Sequence, residues 1–396
     1  MIGVSHLKMS HSMILEDNPH KIFSNPFGLC QGDFWFNLSL VLTIAIIGTS
    51  CNPDLKKTTA EEFKTTIQGE AQGTTWNIAY YDIRERNLKP EVDSVLDAID
   101  LSISTYLPNS VIDRWNESDS GGNVDRLFME VLIESWNAFQ ASDGAFDPTV
   151  KPLVSLWGFG PEKFENPSAV DDAEIERLKR FVGFDTLKFY FKGEKLEISE
   201  LGGLKKLPDS IFLWKPASEF ELDFNAIGQG WSVDKVAEVF RVREIEVFFI
   251  EIGGEIVVGK PKPDGELWRF GIDKPESDME NRALQAIIKL RNRALATSGN
   301  YRKFYERDGV RYAHTIDPST GIPVQHNLLS ATVLGSSAAE ADAMATAFMV
   351  IGKDSTLSLL KEKTYLSNYV YLIYDSAGVN KTFISPQIKR LIENPE

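Results

Sequence analysis

Two short stretches of this chain carry the residues best suited to chemistry. In Tyr312-Ala313-His314-Thr315-Ile316-Asp317-Pro318-Ser319-Thr320-Gly321-Ile322-Pro323 a histidine and a carboxylate precede a Pro/Gly turn. Pro318 fixes φ, Asp317 offers a local hydrogen-bonding carboxylate and Gly321 supplies a position for φ > 0, so this backbone aims its side chains. An imidazole with an ordinary pKa near ~6.5 takes a hydroxyl proton at neutral pH, which makes His314 a candidate general base. A histidine that only stabilises the turn through Asp317 is the other reading of the same residues. In Glu340-Ala341-Asp342-Ala343-Met344-Ala345-Thr346 two oxygen-bearing side chains, Asp342 and Thr346, stand four apart in an alanine-rich helical stretch and share one face. Such a pair, met alone, reads as a solvated helix face with the threonine bonded back to the i−4 carbonyl. The apolar neighbours Ala341, Ala343, Met344, Ala345, Ala347 and Phe348 favour a buried, paired polar site.

Four more segments look like ligand loops: Gln72-Gly73-Thr74-Thr75, Tyr106-Leu107-Pro108-Asn109-Ser110, Ser142-Asp143-Gly144-Ala145-Phe146-Asp147-Pro148-Thr149-Val150 and Asp223-Phe224-Asn225-Ala226-Ile227-Gly228-Gln229-Gly230. Each is weak by itself. Asp223 to Asn225 reads as an N-cap for a helix at Ile227 to Phe240, and Asp147-Pro148 as a plain turn. Around them, alternation marks a strand pair within Lys64 to Asp82 turning between Gly69 and Gly73, a hairpin at Thr186 to Ser199 turning at Lys192-Gly193, and strands at Glu246 to Ile252, Glu255 to Val258, Arg293 to Thr297, Lys303 to Glu306 and Ser330 to Leu334. Helical periodicity marks Pro90 to Thr105, Val124 to Ser142, Val170 to Val182 and Ala338 to Ile351. Strands and helices mix without strict βα alternation, and no Gly-x-Gly-x-x-Gly or Walker loop is present, so the fold class is α+β.

Taken together, these loops, the stretch Ala294 to Tyr301, the His314 turn and the Asp342 helix resemble in order and spacing the ApbE family, the FAD:protein FMN transferases, over about Gly69 to Gly352. The resemblance implies mixed sheets packed with helices in a two-lobed, T-fold-related architecture occupying residues 64–396. It implies flavin contacts at Gln72, Tyr106, Ala145, Phe146, Asp147, Asp223, Gln229 and Ile316, and a metal held by the main-chain carbonyl of Ala226 with the side chains of Asp342 and Thr346. A hard divalent cation takes oxygen ligands, and this donor set favours Mg²⁺ over zinc. The activity implied is Mg²⁺-dependent transfer of FMN from FAD to a threonine hydroxyl of a partner flavoprotein, such as an Nqr- or Rnf-type subunit, with AMP leaving and His314 as base. Hydrolysis of FAD to FMN and AMP is a close variant. A flavin-binding lipoprotein without turnover is the reading from another class, and Gln229, where lysine is frequent in the family, is what speaks for it. Ala345 stands where some members carry a second aspartate, and Leu201 to Trp214 is extra length with no functional assignment.

Composition sets the remaining bounds. With 42 basic and 57 acidic residues the chain has a net charge of -15, which argues against a nucleic-acid partner. Residues Phe34 to Ile47 form an apolar run as long as a signal-peptide core and too short to span a bilayer, which takes roughly 20 residues. It ends in Gly48-Thr49-Ser50-Cys51, followed by a polar tether over 52–63. This resembles a lipoprotein cleavage site, with 1–51 as leader up to and including Cys51, which becomes the lipidated first residue of a bacterial inner-membrane lipoprotein facing the periplasm. Removing the leader leaves His314 and His326 as the mature chain's imidazoles, and His326 reads as a surface loop residue.

Overall fold

The computed structural model describes residues 63–160, 170–275, 283–300, 304–307, 310–366 and 370–393, all within the unit spanning Thr59–Glu396. The leader and the Cys51 reading lie outside these residues. An eight-stranded antiparallel sheet forms the frame, and its strands neighbour one another in chain order. They are β1 (Phe63–Ala71), β2 (Thr74–Asp82), β3 (Phe248–Ile252), β4 (Glu255–Val258), β5 (Arg293–Gly299), β6 (Leu328–Gly335), β7 (Val370–Asp375) and β8 (Asn380–Ile384). Alternation with period two sorts their side chains onto two faces. Trp76, Ile78, Tyr80, Phe248, Ile250, Ile252 and Val257 point to one layer, and Ile256, Val258, Leu295, Leu334, Tyr371 and Ile373 point to the other.

Helices cover the first face. They are α1 (Lys89–Ile103), α2 (Val111–Glu117), α3 (Arg126–Ala141), α4 (Gly228–Val242) and α5 (Ala338–Glu362). The second face packs on a three-stranded sheet that includes Trp268–Asp273 and Leu284–Leu290. Between β2 and β3 the chain builds a further lobe with its own four-stranded sheet, in which Ser210–Trp214 pairs with both Gly121–Asp125 and Lys188–Phe191. The expected extra length before Asp223 is therefore structural: Ile211 and Leu213 are core residues, and the carbonyl of Leu213 accepts the indole N–H of Trp115 at 2.9 Å.

Caps fix where helices begin. Asp125 accepts from the N–H of Phe128, and Ser337 accepts from that of Glu340. α5 breaks at Gly352, whose φ of 74 and ψ of 175 are not helical, so the expected end at Ile351 is the end of its first half. His326 occupies this break and is half-buried, contrary to its reading as a surface loop residue. One ring nitrogen pairs with the Met349 carbonyl at 2.7 Å and the other accepts from the N–H of Leu328 at 3.3 Å. A carbonyl accepts only from a protonated nitrogen, so the neutral ring carries its hydrogen on Nε2. A Cβ on Gly352 would lie 2.9 Å from that ring, which fixes glycine at the break.

Candidate functional site

The first turn of α4 collects one group of the expected residues. Gln72 sits in the β1–β2 turn with φ 52 beside Gly73 with φ 69, a two-residue hairpin turn in which both positions need positive φ. That turn sends the Gln72 amide to the Ser232 hydroxyl at 2.7 Å, and Ser232 in turn donates to the Gly228 carbonyl at 2.6 Å. Gln229 reaches the next hairpin, between β3 and β4: a Cβ built on Gly253 would lie 2.8 Å from its Nε2. Gly230 faces α5 so closely that a Cβ there would lie 2.3 Å from the Ala338 carbonyl oxygen and 2.7 Å from the Asp342 Cβ.

This close approach delivers the Gly230 N–H to the Asp342 carboxylate at 3.1 Å. Asp342 is 6 % exposed and is not on a solvated face. Burial pushes its carboxyl up to about 7, and the Gly230 amide only partly offsets this. One turn on, the Thr346 hydroxyl pairs with that of Ser298 on β5 at 3.0 Å. A buried carboxylate held by one amide, with two hydroxyls a helical turn away, is a donor set of hard oxygens short of positive charge, and it fits a divalent cation. Among the described residues no three His, Cys, Asp or Glu side chains converge on a metal position, so a cation here would rest on a single carboxylate. Ser298 lies in the stretch singled out from the sequence, but its pairing with Thr346 depends on the register of β5 against α5 and has no local signature.

A second group forms around Asp223. Its N–H donates to the Pro148 carbonyl at 2.8 Å, which sets it beside the Asp147-Pro148 turn, and its carboxylate accepts from the Asn225 N–H at 2.8 Å. Asp147 is 7 % exposed and accepts from both the N–H and the hydroxyl of Thr149, at 2.8 and 2.6 Å. Burial pushes its carboxyl up to about 6 against those bonds. Tyr106 is 61 % exposed, and the nearby Asp223 charge adds to burial in raising its phenol. Phe146 is buried in the main core, while the loop carrying Ala145 is tied down by the Lys363 ammonium, which donates to the Ala141 carbonyl at 3.0 Å and to Asp143 at 2.6 Å.

The third group is the His314 turn. Gly321 has φ 75 and its N–H donates to the Asp317 carbonyl at 2.7 Å, while the Asp317 carboxylate takes the N–H and hydroxyl of Ser319 at 2.8 and 2.7 Å. Ile316 bridges to Pro323 and is buried with Leu153, Trp157, Ile175 and Leu178, which puts its side chain in a small core of its own. The Trp157 indole donates to the Gly321 carbonyl at 2.8 Å. Half-buried His314 meets Phe159 edge to face, with ring centroids 6.4 Å apart. Its neighbour Thr315 donates to Asn300 at 2.8 Å, two residues from Ser298, and so connects the turn to the Thr346 side of the first group.

The segment Asp223 to Gly230 joins the first two groups, with Ala226 at its middle. Of the twelve expected residues, Gln72, Gln229 and Asp342 surround the start of α4 with Thr346 one helical turn beyond Asp342, Tyr106, Asp147 and Asp223 share the second group, and His314 with Ile316 forms the third.

The model of the ApbE family matches residues 72–370. The FAD:protein FMN transferase of Haemophilus influenzae is 33% identical over 339 residues, covering 84% of this chain and 92% of that protein. That of Vibrio cholerae is 36% identical over 300 residues, covering 74% and 83%. Among solved structures, the flavin transferase ApbE from Vibrio cholerae superposes with a TM-score of 0.69 at 31% identity, over 83% of this chain and 99% of that one. The apo flavinyl transferase ApbE of Pseudomonas stutzeri gives 0.68 at 29% identity, over 84% and 97%. With the match spanning most of its length and relatives above 30% identity covered almost whole, this chain belongs to the ApbE family.

Proposed function

We infer that this chain is an enzyme that transfers FMN from FAD to a protein acceptor, as the curated relatives' name states for them. The acceptor is a threonine hydroxyl. Its oxygen attacks the FMN-side phosphorus of the FAD pyrophosphate, the bridging P–O bond to AMP breaks, and the threonine proton passes to an imidazole nitrogen of His314. The observation that carries the reading is Asp342, a buried carboxylate that accepts from the Gly230 amide and that burial pushes up to about 7. Asp342, Thr346 and the Ala226 carbonyl would hold Mg²⁺, which when bound supplies charge neutralisation at the pyrophosphate. Asp223 and Asp147 orient the nucleotide, and Tyr106, beside Asp223, offers a ring to it. The Thr346 hydroxyl pairs with that of Ser298 on the neighbouring strand.

The acceptor is a periplasmic flavoprotein with an exposed threonine, such as an Nqr- or Rnf-type subunit, and the enzyme reaches it from a lipid anchor at Cys51. Among the described residues no helix is long and apolar enough to cross a membrane. The test is incubation of purified protein with FAD, Mg²⁺ and acceptor, reading AMP release and the mass gain of FMN on the acceptor. His314→Asn is expected to bind FAD and to lose about 10²–10⁴-fold in transfer. AMP release without acceptor labelling assigns FAD hydrolysis instead, and no AMP from wild type in either arm refutes the enzyme reading.

A further inference from the structure

Asn116, at the end of α2, is 9 % exposed and takes no part in the chemistry above. Its carboxamide closes a ring on the main chain of Leu222: Nδ2 donates to the Leu222 carbonyl at 2.9 Å, and Oδ1 accepts from the Leu222 N–H at 2.8 Å. One side chain thus supplies the donor and acceptor that a neighbouring strand would give. The next residue is Asp223, whose own N–H is held by the Pro148 carbonyl. Two successive residues are therefore fixed from opposite sides.

The asparagine is itself anchored. Lys215, 1 % exposed, donates from Nζ to the Asn116 carbonyl at 2.7 Å and to the Ser218 carbonyl at 3.0 Å, with the ammonium 5.2 Å from the Trp115 ring centroid. Burial pulls that ammonium down to about 8, while the charges of Glu221, Asp119 and Glu219 act in the opposite sense. A lysine buried against carbonyls is an expensive way to hold a loop, and it holds the loop that ends at Asp223.

Side chains along this loop alternate. Phe220, Leu222 and Phe224 enter the main core, and Glu221 and Asp223 face away from it, Glu221 pairing with Lys151. A slip of one residue would exchange the two sets and drive the Asp223 carboxylate, which burial already holds above the usual carboxylate range, into the aromatic core. We propose that Asn116 is a positioning residue for flavin transfer: by clamping Leu222 it fixes the register in which Asp223 faces the nucleotide and α4 begins. This rests on Asp223 as a nucleotide contact.

The test is FAD titration by flavin fluorescence on the full chain, for wild type, Asn116→Ala, Asp223→Ala and the double variant. Asn116→Ala is expected to weaken FAD binding about tenfold, the loss of about two net hydrogen bonds of loop order, and to raise KM for FAD with kcat nearly unchanged. On the Asp223→Ala background it is expected to add less than about twofold, because the group it positions is gone. Ser385→Ala, which removes another buried hydrogen bond, to the Val370 N–H at 3.0 Å, serves as a stability control and is expected to leave FAD affinity unchanged. Should Asn116→Ala not fold, Asn116→Asp carries the same cycle: it keeps the acceptor for the Leu222 N–H and sets a charged oxygen, in place of the donor, against the Leu222 carbonyl. Additive losses in the double variant, unchanged affinity in the single one, or equal weakening by Ser385→Ala overturns the proposal. An Asp223→Ala protein that binds FAD like the parent overturns the reading of Asp223 and this inference with it.

Discussion

Asp147 gives a prediction whose sign and size both follow from its surroundings. Its carboxyl is pushed from the usual 3.8 up to about 6 by burial, although the N–H and hydroxyl of Thr149 favour the charged form. In the unfolded chain it ionises near its ordinary value, so between about pH 4 and pH 6 the folded state holds a proton the unfolded state has lost. The stabilising effect is complete below the unfolded value and is lost as pH rises through the folded one. The shift comes to about 3 kcal/mol at roughly 1.4 kcal/mol per pKa unit, and at 7 % exposure little of it is screened. Asp147→Asn keeps an oxygen for both Thr149 donors and removes the titration. Urea unfolding of the FAD-free protein at pH 5 and pH 8 measures the part that titrates between them: the difference between variant and parent should move in the variant's favour by about 1.4 kcal/mol at the higher pH. Two stability curves parallel in pH would refute the argument and place the charged carboxylate comfortably in the fold.

Further outcomes follow from the same site. Thr346→Val deletes the hydroxyl facing Ser298 while keeping shape, and is expected to raise the Mg²⁺ needed for half-maximal AMP release about tenfold, whereas Thr346→Ser stays near the parent. Gly230→Ala drives a methyl to within 2.3 Å of the Ala338 carbonyl oxygen, and thermal unfolding should show a loss of about 3 kcal/mol with FAD binding impaired. Cys51→Ala should move the protein from the membrane to the soluble fraction on cell fractionation, and its retention in the membrane would refute the anchor.

Much of the frame was readable from residue order because its signals are local. The β1–β2 hairpin announces itself by alternation around Gln72-Gly73, and Lys192 and Gly193 take φ of 52 and 86 in the turn expected of them. The first half of α5 ends where its periodicity ends, since Gly352 interrupts the hydrogen bonding there. Ser210–Trp214, a central strand of the small sheet, lacked that clarity because Phe212 faces outward in an otherwise apolar run. The edge strand β8, Asn380–Ile384, buries no residue fully and shows no clear hydrophobic face. For the site, the family resemblance named the candidate residues, but their partners are long-range. Gln72 with Ser232, Gly230 with Asp342 and Asn116 with Leu222 are each joined across more than a hundred residues, and no window of sequence contains both members. His326 misled for the same reason, because its contacts with Met349 and the Gly352 break are invisible in the polar loop around it.

The sequential order of the eight strands bears on how the molecule comes to be folded. β1 with β2 and β3 with β4 are joined by tight turns and pair within their own neighbourhoods, while the β2–β3 ladder, Trp76 against Ile252 through Tyr80 against Phe248, closes over everything between Asp82 and Phe248. Closing a loop of that length costs about 4 kcal/mol more chain entropy than a two-residue turn. The two hairpins therefore have no cheap route to each other until the inserted lobe has folded and drawn its ends together. The start of α4 lies at the end of that lobe, between the hairpin turns at Gln72 and Gly253. Flavin-binding competence should accordingly be the last property regained on refolding, and a chain that binds flavin has already completed its slowest pairing.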